Sequence, residues 1–391
     1  MANAYIVSAV RTPVGKAPKG TLRATRPDDL AAVVLRAALT RARVEAEAVE
    51  DVVLGCAVPE AEQGLNVARL AALRAELPVT ASAATVNRFC ASGIEAVAIA
   101  CERVGAGAEA ILAGGVESMS MVPLSGARTS VNPWLMEHLP ESYLNMGLTA
   151  ERVAEKYQIS REAADRFALQ SHAKAVAAQD QGWFDAEIEA VETRVPDAEA
   201  ETYWRTVRMT SDEGPRRDTS MSALQALKPV FHAHGVVTAG NASQTSDGAA
   251  AALVVSEGFV RSHNLEPVAR LAAYATAGVE PALMGMGPVE AIPRALRRAG
   301  LKLDDIGLIE LNEAFAAQAL AVIGEARLDP ERVNVQGGAV ALGHPLGCTG
   351  AKLLATLVQS LRRRNERWGL ITMCVGGGQG AAAVIENLQR H

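Results

Sequence analysis

Thr85-Val86-Asn87-Arg88-Phe89-Cys90-Ala91-Ser92-Gly93-Ile94-Glu95-Ala96-Val97 changes character in its middle. Small and polar residues give way to apolar positions 94, 97, 98, 101 and 104, the three-and-four spacing of an amphipathic helix. Cys90 therefore stands at a helix start, where unpaired N–H groups and the helix dipole favour a thiolate and are expected to draw the thiol below its usual value of about 8.5. A free cysteine there is either a small buried apolar residue or a nucleophile, and the stretch alone leaves both open. Outward from it, Val79–Asn87 reads as a strand before the helix and Ala110–Gly115 as a buried strand after it. Tyr5–Val10 and Val49–Cys56 are further strands, while Asp28 and Asn66 open helices. Strands alternating with helices predict an α/β layered fold.

From Glu117 to Gln244 the alternation stops, and most of the Met, Trp and Tyr lie here. Leu148–Lys156 and Ser160–Gln181 read as helices, the second opened by the Ser160 cap and stopped by Gly182. A stretch this long is too big for a loop and predicts an inserted subdomain able to cover a site. Its segment Asp212-Glu213-Gly214-Pro215-Arg216-Arg217-Asp218 reads either as a solvated turn or as an anion contact through Arg216, Arg217 and Lys228. The alternation then returns. Ser246–Val255 is expected to be a small-residue helix or turn followed by a strand, Val268–Ala275 a strand, Pro288 a helix opening and Ile306–Leu311 a buried strand. The end echoes the beginning: Gly347-Cys348-Thr349-Gly350 opens a helix, and the strand Leu370–Cys374 closes on glycines, as Ala110–Gly115 does.

At 391 residues the chain exceeds a single core, and its 49% hydrophobic and 21% charged residues are those of an ordinary globular protein. A net charge of -6 and 4% aromatic residues argue against nucleic-acid binding. Five scattered cysteines without CxxC spacing, and seven histidines without HxxxH, point away from a disulfide framework and a zinc site. His232 and His234 are expected to be solvated in a turn. No apolar run approaches the roughly 18 residues of a membrane span, and the first residues lack the regions of an export signal, so a cytoplasmic protein is expected.

Three C-terminal motifs join Cys90. Asn312-Glu313-Ala314-Phe315 is a polar pair ending an apolar strand, and Gly343-His344-Pro345-Leu346-Gly347 holds a histidine in a loop before a helix. Cys374-Val375-Gly376-Gly377-Gly378-Gln379-Gly380 ends a strand in bare backbone amides. All lie at strand ends or helix starts, the edge of an α/β sheet where ligands collect. With Gly240-Asn241-Ala242-Ser243, these motifs make the chain resemble the thiolases along nearly its whole length.

The resemblance implies two similar βαβαβαββ domains packed as five layers, with an inserted loop domain over a coenzyme A site. Residues 1–116 with 246–267 form the first domain, 117–245 the loop domain and 268–391 the second. It implies thiolytic cleavage of 3-ketoacyl-CoA to acetyl-CoA and a shortened acyl-CoA, the reverse of a Claisen condensation. Coenzyme A and acyl-CoA are then substrates, with no permanently bound cofactor, and a homodimer or homotetramer is implied. Cys90 is the nucleophile in this scheme. His344 takes its proton, Asn312 positions a water at the enolate oxygen, and Cys374 is the second acid/base. The N–H groups of Cys90 and Gly376 form an oxyanion hole. Ser243 contacts the pantetheine arm, Met146, Ala314 and Phe315 line the acyl and pantetheine tunnel, and Arg217 lies toward the nucleotide. Asn145 and the Asp212–Arg216 stretch look more like degradative thiolases than short-chain biosynthetic ones. The alternatives are a condensing acetoacetyl-CoA thiolase, a ketoacyl synthase, a cysteine hydrolase and a non-catalytic acyl-CoA-binding relative.

Overall fold

A computed structural model describes residues 4–200 and 202–390. The chain begins with β1 (Ala4–Arg11), β2 (Gly15–Lys16), α1 (Pro27–Ala42), β3 (Asp51–Gly55), α2 (Val67–Arg74), β4 (Ser82–Val86), α3 (Ser92–Gly105) and β5 (Ala110–Ser118). Then come α4 (Pro133–His138), α5 (Met146–Lys156), α6 (Arg161–Asp180), the two-stranded sheet of β6 (Val191–Pro196) and β7 (Trp204–Met209), and α7 (Met221–Gln225). The remainder is β8 (Ser246–Ser256), α8 (Glu257–Ser262), β9 (Ala269–Gly278), α9 (Gly287–Ala299), β10 (Leu308–Leu311), α10 (Ala316–Glu325), α11 (Ala339–Leu342), α12 (Leu346–Arg364), β11 (Trp368–Val375) and β12 (Gln379–Asn387).

The long strands run in the order β10-β11-β12-β9-β1-β8-β5-β3-β4, and the two halves of this sheet meet through one residue pair, Ile6 with Ala269. Each half repeats one plan. In the first, β4, β3 and β5 are parallel, and β8 and β1 follow antiparallel. In the second, β10 and β11 are parallel, β12 and β9 follow antiparallel, and Val333 bridges Ile309 in parallel where the first half has β4. The echo between the two ends of the sequence is thus a repeated unit.

Side chains alternate along each strand, so both sheet faces need cover. Val52, Leu54 and Leu112 turn toward α1 and α2, while Val53, Ile111 and Ala113 turn toward α3. In the second half Ile371 and Met373 face the α3–α12 side, and Leu370 and Val384 face α9 and α10. The result is five layers: helices, half-sheet, the central pair α3 and α12, half-sheet, helices. α12 is buried along nearly its whole length and stops at left-handed Asn365 after three arginines that suit its C-terminal dipole. α3 and α12 approach closely at their first turns. A Cβ on Gly93 would lie 2.8 Å from Gly347 O, and one on Gly350 would lie 2.4 Å from Ile94 N, so only glycine permits this crossing. The crossing brings the residues just before both helices, Cys90 and His344, to one place.

Two expectations are corrected here. Ser246–Ser256 is strand throughout, because its small residues sit in a central strand between β1 and β5, where a Cβ on Gly114 would meet Ala250 O at 2.0 Å. Alanine's helix propensity yields to that packing. Nor is Asp212 solvated. It is buried and accepts from Nη1 and Nη2 of Arg11, at 2.7 and 2.9 Å, while Glu187 accepts from Nε at 2.6 Å. Glu213 next to it accepts the Lys16 and Thr21 backbone N–H groups at 2.9 Å each. The acidic pair therefore fastens the inserted segment to the first strands. Removing one partner of such a buried ion pair typically costs about 3–5 kcal/mol.

Candidate active site

Cys90 lies in a tight turn, Phe89–Ala91, that runs straight into α3. Phe89 has φ +42, a conformation that typically costs about 1–3 kcal/mol for a bulky residue and persists only where neighbours impose it. Asn87 Oδ1 accepts the Phe89 N–H at 2.8 Å, and Ser92 Oγ donates to Phe89 O at 2.6 Å while accepting from Arg88 N at 2.8 Å. Arg88 pairs with Glu95 and reaches across to Gln379 Oε1 at 3.0 Å, which ties the turn to the glycine-rich loop after β11. The N–H of Gly376 in that loop and the N–H of Cys90 itself lie near enough to the Cys90 sulfur to favour its thiolate.

Those donors do not give a resting thiolate. Cys90 is 2% exposed, and burial pushes its thiol up to about 11 against the pull of the two N–H groups. The lowered pKa expected from the helix start is overridden by desolvation. It is still the most acidic of the five buried thiols: burial lifts Cys101 and Cys348 to about 12, and Cys56 and Cys374 further. Forming the nucleophile requires a base.

His344 presents an imidazole at the same cavity. Its backbone N–H is shared by Gln244 O and Ser246 Oγ, each at 3.1 Å, which fixes the loop between α11 and α12. The Thr349 hydroxyl donates to Pro345 O at 2.9 Å, so its oxygen is left to accept the Nδ1–H of His344 at 2.6 Å. This assigns the proton to Nδ1 and leaves Nε2 with its lone pair, 3.2 Å from Asn312 Nδ2, which donates to it. Burial and the nearby Lys352 cation hold the imidazole down to about 3, so it is neutral at ordinary pH. Asn312 follows β10 with its own N–H on Thr372 O at 2.9 Å, and its Oδ1 is buried with no hydrogen-bond partner among the described residues. Glu313 beside it serves the scaffold, accepting from Ser171, Asn334 and the Val340 N–H.

Cys90, His344, Ser243, Met146, Ala314 and Phe315 line one cavity of about 180 Å³ with largely apolar walls. Its sides follow from backbone pairing: Ala242 bridges Phe315, Ser243 N–H donates to Ala314 O at 2.9 Å, and Asn145 caps α5 so that Met146 turns inward. Cys374 lies behind this wall, packed on Met284, Ala314, Met146 and Phe315, and close enough to Cys90 for the two thiols to couple. Gly376 is buried at the Cys90 turn. Arg217 is elsewhere. It is exposed, pairs with Asp180 on α6 and does not line the cavity. A larger, shallower groove of about 820 Å³ between α1 and β6 contains none of these residues.

Sequence reading gave no role to Thr349, Gln244 or Glu117. Thr349 is five residues past His344 on the next helix, a spacing that shows a contact only once the helix start is known. Glu117 does leave a sequence signal, an acid near the end of an otherwise apolar strand. Chemically the arrangement suits acyl transfer: a thiol, a neutral base, nearby N–H donors and a second thiol at one apolar cavity.

The profile of the "Thiolase, N-terminal domain" family matches residues 4–258, and that of the "Thiolase, C-terminal domain" matches residues 265–387. A 3-ketoacyl-CoA thiolase of Bacillus subtilis (strain 168) is 51% identical over 389 residues, covering 99% of this chain and all of the relative. Among solved structures, a Bacillus anthracis acetyl-CoA acetyltransferase superposes with TM-score 0.90 at 41% identity, and human mitochondrial 3-ketoacyl-CoA thiolase with TM-score 0.90 at 39%, each over 99% of both chains. Both domains matched in order, and identity above one half along 99% of the chain, fix its descent: it belongs to the thiolase family.

Proposed function

We propose that this protein cleaves 3-ketoacyl-CoA with free CoA, through an acyl group carried on Cys90. One observation carries the reading. Cys90 and an imidazole whose unprotonated Nε2 is held by Asn312 line one apolar cavity, with the Gly376 N–H near the Cys90 sulfur and a second thiol behind the same wall.

His344 Nε2 takes the Cys90 proton as the sulfur attacks the C3 carbonyl. Both groups are neutral at rest, so transfer accompanies attack. The oxyanion at C3 is received by the N–H groups of Cys90 and Gly376; losing one such donor typically costs about 10²–10³ in rate. The C2–C3 bond then breaks, and its electrons form the enolate of acetyl-CoA. His344, now protonated, and a water held by Asn312 face the enolate oxygen, and the Cys374 S–H protonates C2. After acetyl-CoA leaves, the Cys374 thiolate takes the proton of the incoming CoA thiol, whose sulfur attacks the Cys90 thioester. Release of the shortened acyl-CoA returns the His344 proton to Cys90.

Ser243 faces the pantetheine arm, and Met146, Ala314 and Phe315 line its tunnel. Residues 117–245 act as the lid, the remaining domains being 1–116 with 246–267 and 268–391. Arg217 is assigned toward the nucleotide, where the Asp180 pair would have to open or share its charge. The protein works as a homo-oligomer of two or four subunits, supported by the unpaired outer edge of β4 and the exposed side chains of Leu65 and Phe89 near it. It acts in the cytoplasm, in keeping with five unbridged thiols. No helix among the described residues is long and apolar enough to cross a membrane.

For chain length we infer a degradative enzyme. Asn145 in the cavity wall supports this, as does the name of the Bacillus subtilis relative. The Asp212–Arg216 stretch lends it little, because Asp212 is engaged by Arg11. Initial rates on a 3-ketoacyl-CoA series, with and without free CoA, test the reading. Cleavage should require CoA, and C8 or longer substrates should be cleaved at least as fast as acetoacetyl-CoA. Release of free acid without CoA would contradict thiolysis; activity confined to C4 would contradict the degradative assignment alone.

A further inference from the structure

Glu117, the last residue but one of β5, is fully buried. Its carboxylate accepts the backbone N–H groups of Ala57 (2.8 Å), Val58 (3.2 Å) and Gly347 (2.7 Å) and the side-chain amide of Gln63 (2.7 Å), with the Cys56 thiol at 3.8 Å. Gln63 is itself fixed, since its Oε1 accepts the Ser118 N–H and its amide also donates to Val58 O. Every partner of Glu117 is a donor, which is the environment of an ionised carboxylate. Burial raises its pKa, and the N–H groups act against that rise.

The backbone donors come from two segments, the stretch just after β3 and the first turn of α12. Ala57 and Val58 pack directly on Cys90, together with Leu346. Gly347 lies in the first turn of α12, three residues past His344. Nothing in the proposed reaction uses Glu117, yet it bonds both the Ala57–Val58 stretch and the first turn of α12.

We propose that Glu117 is a positioning residue for the reaction: it clamps the stretch packed against Cys90 to the helix start that follows His344, and it places a carboxylate behind that stretch. The inference rests on Cys90 and His344 being nucleophile and base. Its charge opposes early ionisation of Cys90, the direction in which Glu117 acts on that thiol. The other titratable groups around the pair are Cys56 on the carboxylate, Cys374 against Cys90, His344, and Cys348 with Lys352 on α12. Removing the charge should therefore ease thiolate formation while misplacing the base. The variant becomes more readily alkylated and a poorer catalyst.

Two variants separate these effects, read by kcat and KM for CoA-dependent cleavage and by the pH dependence of Cys90 alkylation with iodoacetamide. Glu117→Gln keeps the shape, removes the charge and thrusts an amide among donors. Its kcat should fall about a hundredfold, the size of a small misplacement of reacting groups, with KM little changed and the alkylation inflection moved to lower pH. Glu117→Asp keeps the charge but is too short to span Ala57 and Gly347, so kcat should fall while the inflection stays in place. An unmoved or raised inflection in Glu117→Gln, or wild-type kcat in either variant, overturns the proposal. If Glu117→Gln does not fold, Glu117→Asp decides. If the wild type cleaves no 3-ketoacyl-CoA, the functional reading has failed, and the alkylation inflections still report on the charge.

Discussion

Replacing Cys374 with serine should leave a protein that accepts an acyl group and cannot pass it on. Cys90, His344 and both N–H donors are intact in that variant, so acylation from acyl-CoA proceeds, slowly. The following steps need a group that moves a proton to and from C2 and then from the CoA thiol, and a serine hydroxyl is far too weak an acid and base for that. The general acid/base share at stake is about 10²–10⁴ in rate. Burial already lifts the Cys374 thiol above its ordinary range, and the nearby Cys90 thiol adds to this. The native group is therefore a protonated thiol at rest, suited to donate first and accept second. Intact-mass measurement should find a persistent adduct on Cys374→Ser and none on Cys90→Ala. An adduct on Cys90→Ala that maps to Cys374, with no acylation of Cys374→Ser, would mean the two roles are reversed.

His344→Gln should show two separate losses. Turnover should fall by about 10²–10⁴, because the base proposed to take the Cys90 proton is gone. The pH dependence of stability should flatten. His344 is buried and neutral, its pKa held down to about 3 by burial and by Lys352, against about 6.5 in an unfolded chain. Between those values the unfolded state binds the extra proton. The contribution of the neutral histidine is thus complete above pH 6.5 and is lost as the pH falls toward 3. From pH 7.5 to pH 5 this amounts to roughly 2 kcal/mol, so the unfolding free energy of the wild type should drop by about that much more than that of His344→Gln. Equal drops in chemical denaturation would show that the imidazole titrates normally in the folded protein.

The sequence made much of this legible because the chemistry sits at element boundaries, which have local signatures. Cys90 before one helix, His344 before another, Asn312 after a strand and Cys374 at a strand end can each be placed by hydrophobic period and glycine position. The strands and capped helices followed for the same reason; α6, expected at Ser160–Gln181, spans Arg161–Asp180. What escaped were properties set by distant partners. Asp212 reads as a turn residue until Arg11, 201 positions away in sequence, is brought against it. The alanines of β8 carry helix propensity and become strand because β1 and β5 pair with them on either side. Cys90 has the local surroundings of a reactive thiol, and full burial, which no local pattern records, reverses the sign of its shift. Thr349 meets His344 because α12 starts at Leu346, and Glu117 meets Gly347 because α12 packs its first turn on the end of β5.

The central claim is that a ketoacyl group is cleaved through Cys90 and leaves only with CoA. Mixing wild-type protein with one equivalent of a 3-ketoacyl-CoA in the absence of free CoA, then mapping the acylated peptide by mass spectrometry, tests it directly. The account predicts release of acetyl-CoA with the shortened acyl group on Cys90, discharged as acyl-CoA when CoA is added. An acyl group on Cys56, Cys101, Cys348 or Cys374, or its release as free acid before any CoA is supplied, would contradict it.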